Sequence, residues 1–477
     1  MFVARGIVGG VPVSAQDERR YERRDLTTGA VLTLASAFGR TEAEAAADAA
    51  AGAFAAWSST TPEERSTLLR RGADLLAENV DELCRIAQVE VGATPEWIRF
   101  NVEVARATLH QAAGLADAIG DEKVEGAPTG VRYHLIRRPA GVVLGLAPWN
   151  APVALAVRAL AAPLALGNTV VLKGSELCPK VHETVAQLLI DAGLPDGVLN
   201  YVSSAPEDAH DVVDALIAHP AVRRVNFTGS TRVGRHIAEL AARHLKRCLL
   251  ELSGKASAVI LSDADLASAA KSVAHGAFFN QGQVCMSTDR IIIEERIADE
   301  FISLLRRETE RLGGEFGHVI GPEAVARLQG LAADAAAKGA VLVTGGQNVG
   351  TLMQPTIVDH VAYGMRIYEE EIFGPMVGVI RVEDADEAVT VANDTEYGLS
   401  AAVFGRDLPR ARAIARRIEA GAVHINGTTV CDDPAMPYGG MKASGYGRFG
   451  GRAVIEEFTE IQWMTERDAP GGEDRTP

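Results

Sequence analysis

Five cysteines in 477 residues are few, their number is odd, and no two form a Cys-x-x-Cys pair. That pattern excludes a disulfide framework and gives no sign of a zinc site, so no metal is expected and a reducing cytoplasm fits. Basic residues are also in deficit: 47 Lys and Arg against 63 Asp and Glu leave a formal net charge of −16. Without an excess of phosphate-neutralising side chains, neither nucleic acid nor an anionic membrane is expected as a partner. A long uninterrupted apolar run is missing too. Residues 140–172 come nearest, but Pro148, Asn150, Pro152, Arg158 and Pro163 break them into strand, turn and buried helix. Residues 1–16 lack the charged start and apolar core of a signal peptide, so none is expected. No internal repeat of solenoid period is visible.

What remains is the composition of a globular enzyme, 47% hydrophobic and 23% charged. At about 150 residues per domain, the length gives two or three domains. Ala-rich residues 41–57 read as a helix, and Thr61-Pro62-Glu63-Glu64 supplies an N-cap with proline at the first helical position. Helices continue to about Asp117. Acidic, Gly-containing residues 120–130 interrupt, and 131–138 read as an isolated strand. From Gly141 strands and helices alternate: strands at 142–146, 169–172, 198–202, 224–227 and 248–250, with helices between. A second such series spans 256–424. This alternation predicts an α/β protein with parallel sheets covered on both faces, of a nucleotide-binding kind. Residues 457–464 read as a further strand and 470–477 as a frayed tail.

Cys285 closes the loop Phe278-Phe279-Asn280-Gln281-Gly282-Gln283-Val284-Cys285. A thiolate attacks carbonyl carbon better than a hydroxyl does, and a polar Gly-containing turn can expose it. Taken alone, a cysteine is more often a small buried hydrophobe. Asn226-Phe227-Thr228-Gly229-Ser230-Thr231-Arg232-Val233-Gly234 leads a strand into a helix N-terminus, which offers N–H groups to a pyrophosphate; its spacing is equally that of a plain strand-to-helix turn. Lys173-Gly174-Ser175-Glu176 ends another strand. Its cation could bond ribose and phosphate, and Glu176 could accept from the ribose diol and repel a 2′-phosphate, favouring NAD; the alternative is a solvated ion pair. Asn150 in Pro148-Trp149-Asn150 could donate to an oxyanion or merely hold a turn. Glu251 after Arg247-Cys248-Leu249-Leu250 could be a base raised by burial, or a salt-bridge partner of Lys255 or Lys246. Glu371 and Phe373, two apart, could hold a nicotinamide ribose and ring, or form an acidic loop.

Together and in order, these strings resemble the NAD(P)-dependent aldehyde dehydrogenases over nearly the whole chain, with Pro437-Tyr438-Gly439-Gly440, Lys442, Ser444 and Gly445 adding to the match. The resemblance implies the aldehyde-dehydrogenase fold: a Rossmann-like cofactor domain (1–119 and 139–250), an α/β catalytic domain (251–456) and a small β oligomerisation arm (120–138 and 457–468), with 469–477 as a tail. It implies Cys285 as nucleophile, Glu251 as general base and Asn150 as oxyanion donor. Trp149, Lys173, Ser175, Glu176, Gly229, Ser230, Gly234, Leu252, Glu371 and Phe373 match cofactor-holding positions, for NAD rather than NADP. Within the family the chain is most similar to bacterial salicylaldehyde, vanillin and benzaldehyde dehydrogenases, on strings such as Arg243 through Glu251 and Gly445-Tyr446-Gly447-Arg448-Phe449. Trp97, Phe100, Arg158 and Tyr446 are the expected walls for an aromatic aldehyde. Aliphatic or semialdehyde substrates, or transfer to CoA, are the alternatives, and Glu251 as a water-activating base speaks against CoA. A homodimer or homotetramer is expected from the arm. One departure stands out: Ser253 replaces the first glycine that usually follows Glu-Leu, which would matter if that backbone needs positive φ.

Overall fold

The computed structural model of the chain describes residues 1–25, 28–312 and 317–468. The expected tail, 469–477, lies outside them.

The first sheet has eight strands, and its centre is parallel. Val142–Leu146 lies between Val222–Thr228 and Thr169–Lys173, with Arg247–Glu251 and Leu199–Val202 beyond them. These centre strands are apolar runs because helices cover both faces, so there is no solvent side to alternate with. Gly145 lets a helix approach closely, since a Cβ there would stand 3.1 Å from Ala159. That helix, Pro152–Ala165, is buried along its whole length, with Arg158 as its one charged residue. In register, Leu146 pairs with Lys173 and Phe227, and Thr228 with Glu251. The carboxyl ends of four strands therefore finish side by side, where open parallel sheets bind ligands.

The second sheet has seven strands in the order Val341–Thr344, Thr356–Asp359, Met376–Val382, Thr288–Glu294, Ala256–Ile260, Ser400–Phe404, Ala422–Ile425. All neighbours are parallel except the first pair. The third is an antiparallel arm of Gly120–Val124, Val131–Pro139 and Thr459–Arg467.

The N-terminal helices begin as the caps require: Thr61 Oγ1 accepts the Glu64 N–H while Glu64 reaches back to the Thr61 N–H. Three boundaries differ from the sequence reading. The last N-terminal α-helix stops at Ala113, with a short tight turn at Ala116–Ala118. The interruption at 120–130 contains a strand, Gly120–Val124, exposed at every position. Its Asp, Glu and Lys hid it from a pattern of alternating apolar residues and are what an exposed edge strand carries. Gly445–Tyr446, expected in the second domain, pairs antiparallel with Arg247–Glu251 at the edge of the first sheet.

Candidate active site

The helix Leu266–Phe278 runs into a tight turn in which Asn280, Gln281 and Gly282 all take positive φ (48°, 54° and 66°). Gly282 is required twice over, by its φ and because a Cβ would lie 2.1 Å from the Gly374 carbonyl oxygen. The turn brings Cys285 half-buried to the wall of a cavity of about 650 Å³ that Trp149, Asn150, Thr228, Gly229, Ser230, Glu251, Ser253, Glu371 and Phe373 also line.

Asn150 is locked to this loop. Its Nδ2 donates to the Gln283 carbonyl at 3.0 Å, and its own carbonyl accepts from Asn280 Nδ2 (3.1 Å) and Trp97 Nε1 (2.8 Å). Trp97, expected as a substrate wall, is 2% exposed, stacked on Phe100 and edge-on to Phe279, with its indole N–H holding the Asn150 carbonyl. Its one polar atom explains its place, since a buried indole N–H needs an acceptor. Phe100 and Phe279 remain partly open. Tyr446, also expected as a wall, stands half-exposed on the sheet edge opposite Leu250.

Glu251 is fully buried at its strand end, and among the described residues its Oε2 has no hydrogen-bond partner. Neither lysine claims it: Lys255 bonds Asp289 (3.2 Å) and the Glu370 carbonyl (2.5 Å), and Lys246 bonds the carbonyls of Ile217 and His219. Burial raises the Glu251 pKa, against the pull of Arg158. Burial, reinforced by the Glu251 charge, also pushes the Cys285 thiol well above its usual value. Arg158 is buried and ion-paired with Asp432, its guanidinium 4.8 Å from the centre of the Tyr438 ring.

The cofactor positions divide. Glu371 Oε1 accepts the Gly254 N–H at 2.9 Å, and burial lifts its carboxyl to about 7. Asp289 Oδ2 accepts the Ile372 N–H at 2.9 Å, so the Lys255–Asp289 pair ties this acidic loop to the segment after Glu251. Phe373, itself at φ 44°, meets Trp149 edge-on at 5.9 Å. Any Cβ at Gly229 would strike the Phe227 ring at 2.3 Å, and Ser230 Oγ caps the helix Thr231–Arg243. Gly234 and Leu252 pack against each other, and neither lines the cavity. Lys173 and Glu176 pair with one another, and the Ser175 hydroxyl accepts the Leu177 N–H; none of these three lines the cavity. Ser253 is absent from the positive-φ residues, so its hydroxymethyl group adds no backbone strain.

Sequence reasoning gave Tyr438 no role of its own and passed over Asp432. Among the described residues, one group with metal-ligand spacing occurs, His210, Asp214 and His236, on two surface helices away from Cys285. The His210–Asp214 contact spans one helical turn and is an ordinary i, i+4 side-chain contact.

The profile of the aldehyde dehydrogenase family matches residues 13–464. A vanillin dehydrogenase of Pseudomonas fluorescens is 48% identical over 472 residues, 97% of this chain and 98% of that one. A salicylaldehyde dehydrogenase of Pseudomonas putida is 46% identical, over 95% and 96%. Among solved structures, a salicylaldehyde dehydrogenase from Pseudomonas putida G7 complexed with salicylaldehyde superposes with a TM-score of 0.96 at 43% identity, covering all of both chains.

Proposed function

The chain belongs to the aldehyde dehydrogenase family, and from that premise we propose that it oxidises an aromatic aldehyde of the salicylaldehyde, vanillin or benzaldehyde type to the carboxylic acid, with NAD as the preferred acceptor. The observation that carries the reading is the convergence of Cys285, Asn150 and an unpartnered Glu251 carboxylate oxygen on one cavity. The family uses NAD or NADP.

Cys285 Sγ adds to the aldehyde carbon. Asn150 Nδ2, already aimed at the nucleophile loop, turns its donor to the oxyanion, a contribution of about 3 kcal/mol. The cavity fits a dinucleotide: Glu371 offers a buried acceptor, Gly229 leaves the room that a Cβ would fill, and Trp149 and Phe373 offer rings. When bound, the nicotinamide supplies acceptance of the hydride from the aldehyde carbon. Glu251 then takes a proton from water, which attacks the acyl group held on Cys285 as a thioester. A free carboxylate oxygen suits that task, and CoA as acceptor would leave it idle.

Phe100, Phe279 and Arg158 are the residues beside the nucleophile loop that we assign to the aromatic ring of the substrate. We assign NAD preference to Glu176, which must leave Lys173 to meet a ribose diol. The cofactor and catalytic domains correspond to the two large sheets, divided at Glu251. The arm, with Ile461, Trp463 and Met464 exposed on Thr459–Arg467, would assemble a homodimer or homotetramer. Five free cysteines suit the cytoplasm, and among the described residues no helix is long and apolar enough to cross a membrane.

The test is a panel of benzaldehyde-type and aliphatic aldehydes with NAD and NADP, followed at the reduced-cofactor absorbance. Higher kcat/KM for the aromatic aldehydes with NAD is expected. Preference for short aliphatic aldehydes overturns the substrate assignment, and preference for NADP overturns the Glu176 argument.

A further inference from the structure

Tyr438 is 6% exposed and fixed on every side. Its backbone exchanges two 2.8 Å hydrogen bonds with Phe449, and Arg158, paired with Asp432, covers its ring. Packing there asks only for a ring, which a phenylalanine would supply. The hydroxyl is additional, and burying it is unfavourable unless it bonds. Its partners are the two reacting groups: Oη stands 3.6 Å from Cys285 Sγ and 3.5 Å from Glu251 Oε1. Such contacts are long in a resting site and tighten when substrate binds.

We propose that the Tyr438 hydroxyl relays the thiol proton of Cys285 to Glu251, making it a fourth catalytic side chain of the reaction read above, on which this inference rests. The S–H bond breaks as Oη takes that proton, and the phenol's own proton passes to Glu251 Oε1. The products are a thiolate that accepts a hydrogen bond from the regenerated phenol, and a neutral carboxyl group; nothing is oxidised or reduced. Glu251 must release this proton before it serves water, so a single carboxylate acts in both halves of the cycle. The groups facing Tyr438 are Cys285 and Glu251 on one side and the Arg158–Asp432 pair on the other. Burial, the Glu251 charge and a direct hydrogen bond between the thiol and Glu251 oppose thiolate formation, whereas the Tyr438 hydrogen bond and Arg158 favour it; the relay differs from that direct contact in leaving the thiolate with the phenol as its donor.

The experiment needs no aldehyde. Alkylation of Cys285 by uncharged iodoacetamide is followed from pH 6 to 10 by mass spectrometry of its peptide, which separates it from the four other cysteines. Tyr438→Phe is expected to react about tenfold more slowly near neutral pH, with its midpoint displaced alkaline by about one pH unit, and to keep wild-type NAD affinity. In a Glu251→Gln background the same substitution should add nothing, because the proton's destination is gone. An unchanged profile for Tyr438→Phe, or losses that multiply in the double variant, overturns the relay. If Tyr438→Phe fails to fold, 3-fluorotyrosine at position 438 keeps the shape and acidifies the phenol, so a midpoint that does not move is equally fatal. Wild-type protein inactive on every aromatic aldehyde would refute the substrate reading without touching this comparison.

Discussion

Asp432→Asn removes one charge from an ion pair in which the Arg158 and Asp432 side chains are only 7% and 9% exposed. At the surface such a pair contributes about 0–1 kcal/mol. Here the arginine lies in an otherwise apolar helix, and burial alone would lower its pKa; the Asp432 carboxylate holds it above the usual value instead. Taking the carboxylate away leaves a buried cation without its counter-charge, a loss of about 3–5 kcal/mol. Asparagine can still accept a hydrogen bond, which places the expectation near 3. The substitution also acts on the chemistry. Asp432 raises the Glu251 pKa and Arg158 lowers it, so removing Asp432 lets Glu251 ionise at lower pH. Two measurements follow: the urea midpoint of the cofactor-free protein by tryptophan fluorescence, and the pH dependence of kcat/KM. The variant should be less stable, with its acid limb displaced to lower pH. The double variant Arg158→Met, Asp432→Leu should regain most of the stability while its acid limb moves to higher pH, since both charges are gone and the favourable one acted more strongly on Glu251. Wild-type stability in Asp432→Asn, or an acid limb moving to higher pH, would refute the reasoning.

Three further expectations concern the site itself. Glu251→Gln should give a burst of reduced cofactor slower than that of the wild type, because the thiol proton has lost its acceptor, and should then stall, because water goes unactivated; rapid-mixing absorbance reads both directly, and Cys285→Ala should show no turnover at all. Burial puts the Glu371 carboxyl at about 7, so in the free protein it ionises only above that pH. If ionised Glu371 accepts from a ribose hydroxyl, the NAD dissociation constant measured by titration calorimetry should fall about tenfold from pH 6 to pH 8, and Glu371→Gln should flatten that dependence. Gly282→Ala meets both a left-handed φ and a 2.1 Å approach to the Gly374 carbonyl oxygen. The conformation alone costs about 1–2 kcal/mol, and relief of the clash must move the nucleophile turn or the loop carrying Glu371, so kcat/KM should drop more than thermal stability does; equal, small effects would show that the turn is not strained into place.

The parallel strands were legible because strands buried on both faces read as unbroken apolar runs, and Val142–Leu146 and Thr169–Lys173 are of that kind. Cys285, Glu251 and Asn150 were legible because each sits next to a strand end or turn that sequence marks. The bond from Trp97 to the Asn150 carbonyl was not legible: an aromatic residue on a helix looks the same whether it offers its face to a ligand or its N–H to a carbonyl. Asp432 could not be found at all, since it lies 274 positions from the arginine it neutralises. Tyr438 carried a signal in its family string, but only the fold aims its hydroxyl between a thiol and a carboxylate. A polar group in a run whose packing needs only a ring is the cue that was there to be weighed.

The pairing of Thr459–Arg467 with Val131–Pro139 has a consequence for the order in which the chain emerges from the ribosome. The Arg132–Glu466 hydrogen bond of this ladder joins residues 334 positions apart. Until the last strand is synthesised, the hairpin of Gly120–Val124 and Val131–Pro139 has an open edge, a site for pairing with the wrong chain. Tyr438 and Asp432 arrive only shortly before that strand. The growing chain therefore acquires its finished active site and its closed arm within the same final stretch of translation, and a truncated product would lack both.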